Sequence, residues 1–174
     1  MLFVNRMKLI FATHNPGKIY EMRQLVADLD IEVLSAEEAG VTEDVEEDQE
    51  TFEGNSLKKA RFVAEQTGEW SVADDSGICI NALDGRPGVH TARWAGPDAA
   101  DKDLIDYTLD QLKKIPEGKR QASFNTVASI VSPDGEEWIF DGIVQGVVTT
   151  QPRGDHRPKL PYDVIFIPDG YDQT

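Results

Sequence analysis

Residues 8–18 read KLIFATHNPGK, an apolar run that ends in a turn-forming stretch. Lys8 to Thr13 has the pattern of a buried strand, and residues 14–18 break it. The apolar residues that follow recur at helical spacing and form one stripe, namely Ile19, Met22, Leu25, Val26 and Leu29. A second strand is predicted over 31–34. Strand, turn, helix and strand in this order are typical of the start of an α/β fold.

The next segment predicts one helix and two short strands. Thr51 or Asn55 can cap a helix that stops at Gly68. Short apolar runs at 71–73 and 78–80 flank Asp74-Asp75-Ser76-Gly77, which we expect to form a tight turn between two strands. Another turn is predicted over 84–88.

The last third of the chain changes from helical to strand periodicity. An amphipathic helix is predicted over 101–115 and ends at residues 116–118. Residues 121–132 and 137–148 flank the turn sequence SPDG, which favours a long β-hairpin. Three prolines make 149–161 a loop, and 162–167 is predicted as a last strand.

Length and charge limit the classes of protein that fit this chain. With 174 residues and 40% hydrophobic content it can bury one core, so we expect a single domain over 1–174. The 17 Lys and Arg against 32 Asp and Glu give a net charge of −15, which argues against a nucleic-acid surface. A small phosphorylated ligand is compatible with this charge if a divalent metal and a few lysines offset the repulsion.

The lone cysteine and the termini indicate a cytoplasmic protein. Cys79 lies in an apolar run, so we expect it to pack as a small core residue. A single cysteine cannot form an internal disulfide, which favours a reducing compartment. Residues 1–6 are too short and polar for a signal peptide, and no apolar stretch reaches the ~20 residues of a membrane span. Met7 is an alternative start.

Three groups of residues can carry chemistry, each with a plainer alternative. Thr13, Asn15 and Lys18 lie where the first strand meets the first helix, and helix N-terminal amides with a lysine suit a phosphate. The alternative is an ordinary turn with Lys18 in solvent. The acidic stretch 43–53, with Lys59 downstream, is either a solvated loop or a Mg²⁺ site, because Mg²⁺ takes one or two carboxylates.

The third group is Asp74-Asp75-Ser76-Gly77. The two carboxylates can bind a metal while one of them activates water, and the serine hydroxyl can hold a phosphate or sugar oxygen. Adjacent side chains often point in different directions, so the two aspartates need not share a role, and a capped turn remains the alternative. The three histidines lack zinc-ligand spacing, and no nucleophile elbow or Walker loop is present.

Five motifs in order resemble the inosine-triphosphatase (Ham1-like) family of non-canonical purine nucleoside triphosphate pyrophosphatases over roughly 8–152. They are ATHNPGK at 12–18, TF with Asn55 and Lys59-Ala60 at 51–60, ADDSG at 73–77, GRPG at 85–88 and TARWAG at 91–96. An ordered set is far more specific than any one motif.

The resemblance implies a Mg²⁺-dependent enzyme that cleaves ITP, dITP or XTP between the α- and β-phosphates. It implies Asp75 as general base and metal ligand, with Asp74 beside it, and Glu47 as the second metal ligand. The implied substrate contacts are Thr13, His14, Asn15, Gly17, Lys18, Lys59, Ser76, Tyr162 and Asp163. The implied fold is an elongated mixed β-sheet flanked by helices, with the nucleotide in a cleft between two lobes, commonly in a homodimer.

Two departures lie near the C-terminus. Where the family has Phe-Gly-Tyr-Asp-Pro, residues 160–164 read LPYDV, so the aromatic ring expected on the base is missing. The sequence ends at Thr174, before the family's Lys and Ser-His-Arg segment, and we do not take His156-Arg157 as its replacement. The alternative function is therefore a nucleotide-binding relative with impaired catalysis, and a third hypothesis is a truncated chain.

Overall fold

The computed structural model describes residues 6–174, so residues 1–5 of the predicted N-terminal extension lie outside the described residues. The strands are β1 (Met7–Phe11), β2 (Ile31–Ser35), β3 (Trp70–Ile80), β4 (Gln121–Val131), β5 (Glu137–Val148) and β6 (Phe166–Pro168). The α-helices are α1 (Pro16–Leu25), α2 (Phe52–Thr67) and α3 (Asp101–Gln111). Short 3₁₀ helices cover Asn81–Leu83, Gly88–Arg93, Glu117–Lys119 and Pro161–Val164.

The strands form one mixed sheet in the order β2-β1-β3-β4-β5-β6. Strand β1 is parallel to both β2 and β3, whereas β6 is antiparallel to β5. The parallel part follows from the strand-helix-strand start of the chain, because a helix returns the chain to the same end of the sheet. The prediction of an α/β fold around a mixed sheet is confirmed.

Contacts divide the chain into two compact units. Unit 1 contains the chain up to Asp75 together with Val127–Asp141, and unit 2 contains Ser76–Thr126 and Gly142–Thr174. Strands β3, β4 and β5 each continue from one unit into the other. The single domain expected over 1–174 stays a prediction.

Within unit 1, the helices α1 and α2 cover different faces of the sheet. Leu9 and Phe11 of β1 pack in one core cluster with Ile19 of α1. Ile10, between them in the sequence, packs in another cluster with Val63 of α2. Successive side chains of a strand point to opposite faces, so the apolar run of β1 is buried by a helix on each side.

The ends of the first two helices follow the sequence signals. Asn15 caps α1 and Thr51 caps α2. The Thr51 side-chain oxygen accepts a hydrogen bond from the Gly54 amide at 3.0 Å. Gly68 ends α2 in the left-handed region at φ 66°, where glycine carries no steric penalty. The hairpin of β4 and β5 and the turn after residue 84 are also as predicted, and α3 ends four residues earlier than expected.

The expected turn at 74–77 is wrong. These residues lie inside β3, which runs without interruption from Trp70 to Ile80. Asp, Ser and Gly favour turns when the chain is considered locally, but here β4 is the hydrogen-bonded neighbour of β3 on one side, and β1 pairs with β3 on the other side over residues 70–72. Pairing partners for an extended backbone therefore override the local preference.

The expected strand over 162–167 is also wrong for its first half. Pro161–Val164 forms a 3₁₀ helix, and the strand covers only Phe166–Pro168. The backbone turns here because the Ile165 amide donates to the Tyr162 carbonyl at 3.0 Å and the Tyr162 side chain is anchored inward.

Tyr162 is a buried anchor of the unit 2 core, only 4% exposed. Its hydroxyl donates to the Thr91 carbonyl at 2.9 Å, and its ring packs edge-on against Phe124 at 6.0 Å between centroids. Burial raises the pKa of the Tyr162 phenol to about 12.

We expect this burial to make the protein lose stability at alkaline pH. The unfolded phenol ionises near pH 10 and the folded one near pH 12, so the stabilisation is complete below pH 10 and disappears as the pH rises through this window. Between about pH 9 and 11, the wild type should lose ~1 kcal/mol more unfolding free energy than Tyr162→Phe. Urea unfolding of both proteins measures the difference, and parallel losses would contradict it.

Candidate active site

Strand β3 carries the two predicted catalytic carboxylates to different partners. The Asp74 carboxylate accepts a hydrogen bond from the Lys18 ammonium at 2.6 Å, and Lys18 belongs to α1. The Asp75 carboxylate accepts one from the Asn55 amide at 3.0 Å, and Asn55 belongs to α2. The two-residue period of the strand explains the difference, because neighbouring side chains point to opposite faces.

The segment after β1 lies beside this part of β3. Phe11 is in register with Val72 in the parallel pair, so the chain leaves β1 two residues before the level of Asp74. The Asn15 amide donates to the Thr13 hydroxyl at 3.2 Å, and the Gly17 amide donates to the Asn15 side chain at 2.9 Å. Three of the predicted substrate contacts, Thr13, Asn15 and Gly17, therefore lie where the chain passes from β1 into α1, at the carboxyl end of a parallel strand where α/β folds bind ligands.

His14 and Lys59 bring this turn together with the acidic loop, residues 42–51. The His14 imidazole lies 4.0 Å from the Asp44 carboxylate. His14, Asp44 and Lys59 also line one cavity. The other residues that line it are Ala12, Ala36, Glu43, Val45 and Val63. The predicted phosphate contacts and the acidic stretch thus meet within unit 1.

Two consecutive lysines of α2 hold the acidic loop. Lys59 forms an ion pair with Glu47, and its side chain is only 15% exposed. Lys58 donates to the Glu46 carbonyl at 2.8 Å and to the Asp48 carboxylate at 2.7 Å. This hydrogen bond from Lys58, aided by one from the Gln49 side chain, lowers the pKa of Asp48.

The acidic loop also crosses the first turn of α2 at close range. A Cβ atom on Gly54 would lie 2.8 Å from the Gln49 Cβ, so glycine permits this approach. The Gln49 amide donates to the Asn55 side-chain oxygen at 3.0 Å. The loop is therefore tied to α2 by backbone and side-chain bonds, rather than simply solvated.

The two predicted metal ligands fit a hard divalent ion. Glu47 and Asp75 supply carboxylate oxygens, and both contact side chains of α2. Mg²⁺ usually takes one or two protein carboxylates and completes its shell with water and substrate phosphates. Within residues 6–174, no group of three or more His, Cys, Asp and Glu side chains is placed to hold a metal, which does not suit a closed zinc site.

Three of the predicted substrate contacts belong to unit 2. The Ser76 hydroxyl accepts a hydrogen bond from the Thr126 hydroxyl at 3.0 Å. Tyr162 is packed in the core with its hydroxyl bonded to a backbone carbonyl, and Asp163 forms an ion pair with Arg157. The geometry gives Tyr162 a packing role, and contact of these three residues with substrate stays a prediction.

Two other expectations concern Cys79 and His156. Cys79 is half-buried rather than fully buried. Its sulfur accepts a hydrogen bond from the Asn125 amide at 3.2 Å, and burial raises the pKa of its thiol. His156 lies 3.0 Å from the Asp101 carboxylate, so it helps to hold the loop before Pro161.

Sequence reasoning missed the role of Asn55. It treated this residue as an alternative helix cap and as part of a family motif, without a role at the site, yet Thr51 is the cap and Asn55 contacts Asp75. An asparagine four residues after the cap is the only local signal, and it does not identify a partner 20 positions further along the chain.

Comparison with known proteins finds relatives over nearly the whole chain. The model of the Ham1 family matches residues 9–174. The dITP/XTP pyrophosphatase of Zymomonas mobilis is 42% identical over 168 residues, which cover 96% of this chain and 79% of that protein.

Two solved structures are similar to this chain over nearly its whole length. The nucleoside-triphosphatase / dITP/XTP pyrophosphatase of Mycobacterium abscessus has a TM-score of 0.85 and 36% identity, covering 97% of this chain and 87% of that one. The Ham1 protein of Staphylococcus aureus has a TM-score of 0.86 and 33% identity, covering 96% and 84%. The extent of the family match and the shared fold together establish that this chain belongs to the Ham1 family.

Proposed function

We propose that this protein hydrolyses non-canonical purine nucleoside triphosphates, namely ITP, dITP and XTP, to a monophosphate and pyrophosphate in a Mg²⁺-dependent reaction. The observation that carries the proposal is the arrangement in unit 1, where Lys18 and Lys59 each lie beside a carboxylate and Asp75 is held by Asn55. The names of its relatives, dITP/XTP pyrophosphatases, support the substrate class.

The net charge of the chain is the reason that the proposal assigns two lysines, Lys18 and Lys59, to the triphosphate. A triphosphate approaches a chain of net charge −15, so local cations must offset the repulsion. Lys18 near the N-terminus of α1 and Lys59 on α2 are the cations placed near the predicted carboxylates. In the proposal, phosphate oxygens accept hydrogen bonds from these ammonium groups, which now donate to Asp74 and Glu47.

Asp75 is the proposed general base. Its side chain is 7% exposed, and the Asn55 amide fixes one carboxylate oxygen. Hydrolysis adds water across the α–β phosphoanhydride bond, so the attacking water gives a proton to Asp75 as its oxygen bonds to phosphorus. A Mg²⁺ ion held by Glu47 and Asp75 would neutralise charge on the phosphates.

A second candidate is nucleotide binding with impaired turnover. It is favoured by unit 2, where the Tyr162 hydroxyl is bonded to Thr91 and Leu160 stands at the position of the family's aromatic residue. Weak base recognition would follow, because a leucine side chain cannot stack on a purine as an aromatic ring does.

For assembly and location, we propose a cytoplasmic homodimer that does not bind nucleic acid. Trp138, Ile139 and Phe140 of β5 are each at least 38% exposed, which is apolar surface that a second copy can cover. The net charge of −15 disfavours a nucleic-acid surface. Among residues 6–174, no helix has both the length and the apolar content needed to span a bilayer.

The proposal predicts pyrophosphate release from ITP, dITP and XTP that requires Mg²⁺ and exceeds release from ATP and GTP. Asp75→Asn should abolish turnover, because the amide cannot accept the proton from water. A coupled assay with inorganic pyrophosphatase measures release, and circular dichroism checks that the variant folds.

The outcomes separate the two candidates. Wild-type turnover that disappears in Asp75→Asn supports the enzyme with Asp75 as base. Normal turnover in Asp75→Asn removes Asp75 from that role. Binding of ITP by the wild type without pyrophosphate release supports the impaired relative.

Lys59 and Lys58 provide a matched pair on one helix. We expect Lys59→Ala to lower kcat/KM for ITP by roughly 10–100-fold, the range for loss of a charged hydrogen bond. Lys58→Ala should have a smaller effect, because Lys58 is more exposed and contacts the two residues on either side of Glu47, namely Glu46 and Asp48. Steady-state kinetics of both variants test this. Equal decreases in kcat/KM would show that Lys59, like Lys58, only holds the acidic loop.

A further inference from the structure

Asn55 is a fully buried amide whose two ends are both engaged. Its exposure is 0%, although it lies in the first turns of α2. Its oxygen accepts from the Gln49 amide at 3.0 Å, and its nitrogen donates to the Asp75 carboxylate at 3.0 Å. One side chain therefore joins α2, the acidic loop and β3.

The chemistry of the two partners determines which way the amide points. A backbone N–H can only donate, so the group facing Gln49 must be the Asn55 oxygen. An ionised carboxylate can only accept, so the group facing Asp75 must be the Asn55 nitrogen. Both hydrogen bonds select the same orientation, and reversing the amide would break both.

Asn55 and Lys59 act from the same side of α2. They are four residues apart, which places them on neighbouring turns of one helix face. Lys59 pairs with Glu47, and Asn55 contacts Asp75 and the loop that carries Glu47. A single rigid element thus holds both predicted metal ligands.

We propose that Asn55 is a positioning residue for the hydrolysis. Its amide sets the orientation of the Asp75 carboxylate and, through the Gln49 backbone, the position of the loop that carries Glu47. This inference rests on the proposed function, in which these two carboxylates bind the metal. Partners that orient ligands in this way commonly contribute 10–100-fold to metal affinity or activity.

Ser56 supplies a matched control. It is the next residue of α2, it is also 0% exposed, and its hydroxyl also reaches β3, donating to the Ala73 carbonyl at 3.0 Å. It differs from Asn55 in its partner, which is a backbone carbonyl rather than a carboxylate. Asn55→Ala and Ser56→Ala therefore both remove a buried bond between α2 and β3, and only the first touches Asp75.

The experiment compares Asn55→Ala and Ser56→Ala by three measurements on the full chain. The melting temperature reports fold stability, and we expect a similar fall for both, on the order of 5 °C. Mn²⁺ binding in the presence of α,β-methylene-ITP, followed by electron paramagnetic resonance, reports the metal site without turnover. The kcat and KM for ITP report the reaction.

For Asn55→Ala we expect Mn²⁺ affinity and kcat to fall by about 10–100-fold with KM little changed, because Asn55 is buried and does not contact substrate. Ser56→Ala should keep both near the wild-type values. Equal behaviour of the two variants, or no Mn²⁺ binding by the wild type, would overturn the proposal. If Asn55→Ala does not fold, Asn55→Ser, too short to reach both partners, replaces it with the same expectations.

The Mn²⁺ titration separates this inference from the proposed function. A wild type that releases no pyrophosphate from ITP or XTP but binds Mn²⁺ more tightly than Asn55→Ala contradicts the proposed function and supports Asn55 as a residue that positions the two metal ligands. Turnover by the wild type with no selective effect of Asn55→Ala contradicts the positioning role alone.

Discussion

The extended backbone of β3 is the constraint on which the candidate site depends. Because the strand continues through residues 74–77, its two-residue period sends Asp74 toward Lys18 of α1 and Asp75 toward Asn55 of α2. A turn at this point, as expected from the sequence, would not have imposed this alternation. The strand instead gives each carboxylate a different environment, so one can be paired with a lysine while the other is held by a neutral amide.

Helix α2 is the second organising element, and it works through consecutive residues. Thr51 caps it, Gly54 lets the acidic loop approach, and Asn55, Lys58 and Lys59 hold the loop by side-chain bonds. A loop with so many carboxylates would otherwise be dispersed by mutual repulsion. Pairing with Lys58 and Lys59 offsets that repulsion and holds Glu47 against α2, the helix that also contacts Asp75 through Asn55.

The lysines that pair with these carboxylates are also the proposed phosphate contacts. Each ion pair keeps a lysine side chain ordered near the site, and a triphosphate with Mg²⁺ brings both the anions that lysines prefer and the cation that carboxylates prefer. In the proposal, substrate binding therefore exchanges the partners of the lysines and carboxylates within the site. In the proposed function, this exchange offsets the repulsion between the substrate phosphates and a chain with a net charge of −15.

The sequence by itself determined the local elements: the first strand and helix, the Thr51 cap, the Gly68 stop, the β4–β5 hairpin and, through ordered motifs, the family. These signals depend on near neighbours and on periodicity, which a single sequence displays directly. Only the tertiary structure decided that residues 74–77 are strand, that Tyr162 is core, and that Asn55 contacts Asp75. Such contacts join residues 20 to 71 positions apart, and no local pattern records which distant group will satisfy a buried polar atom.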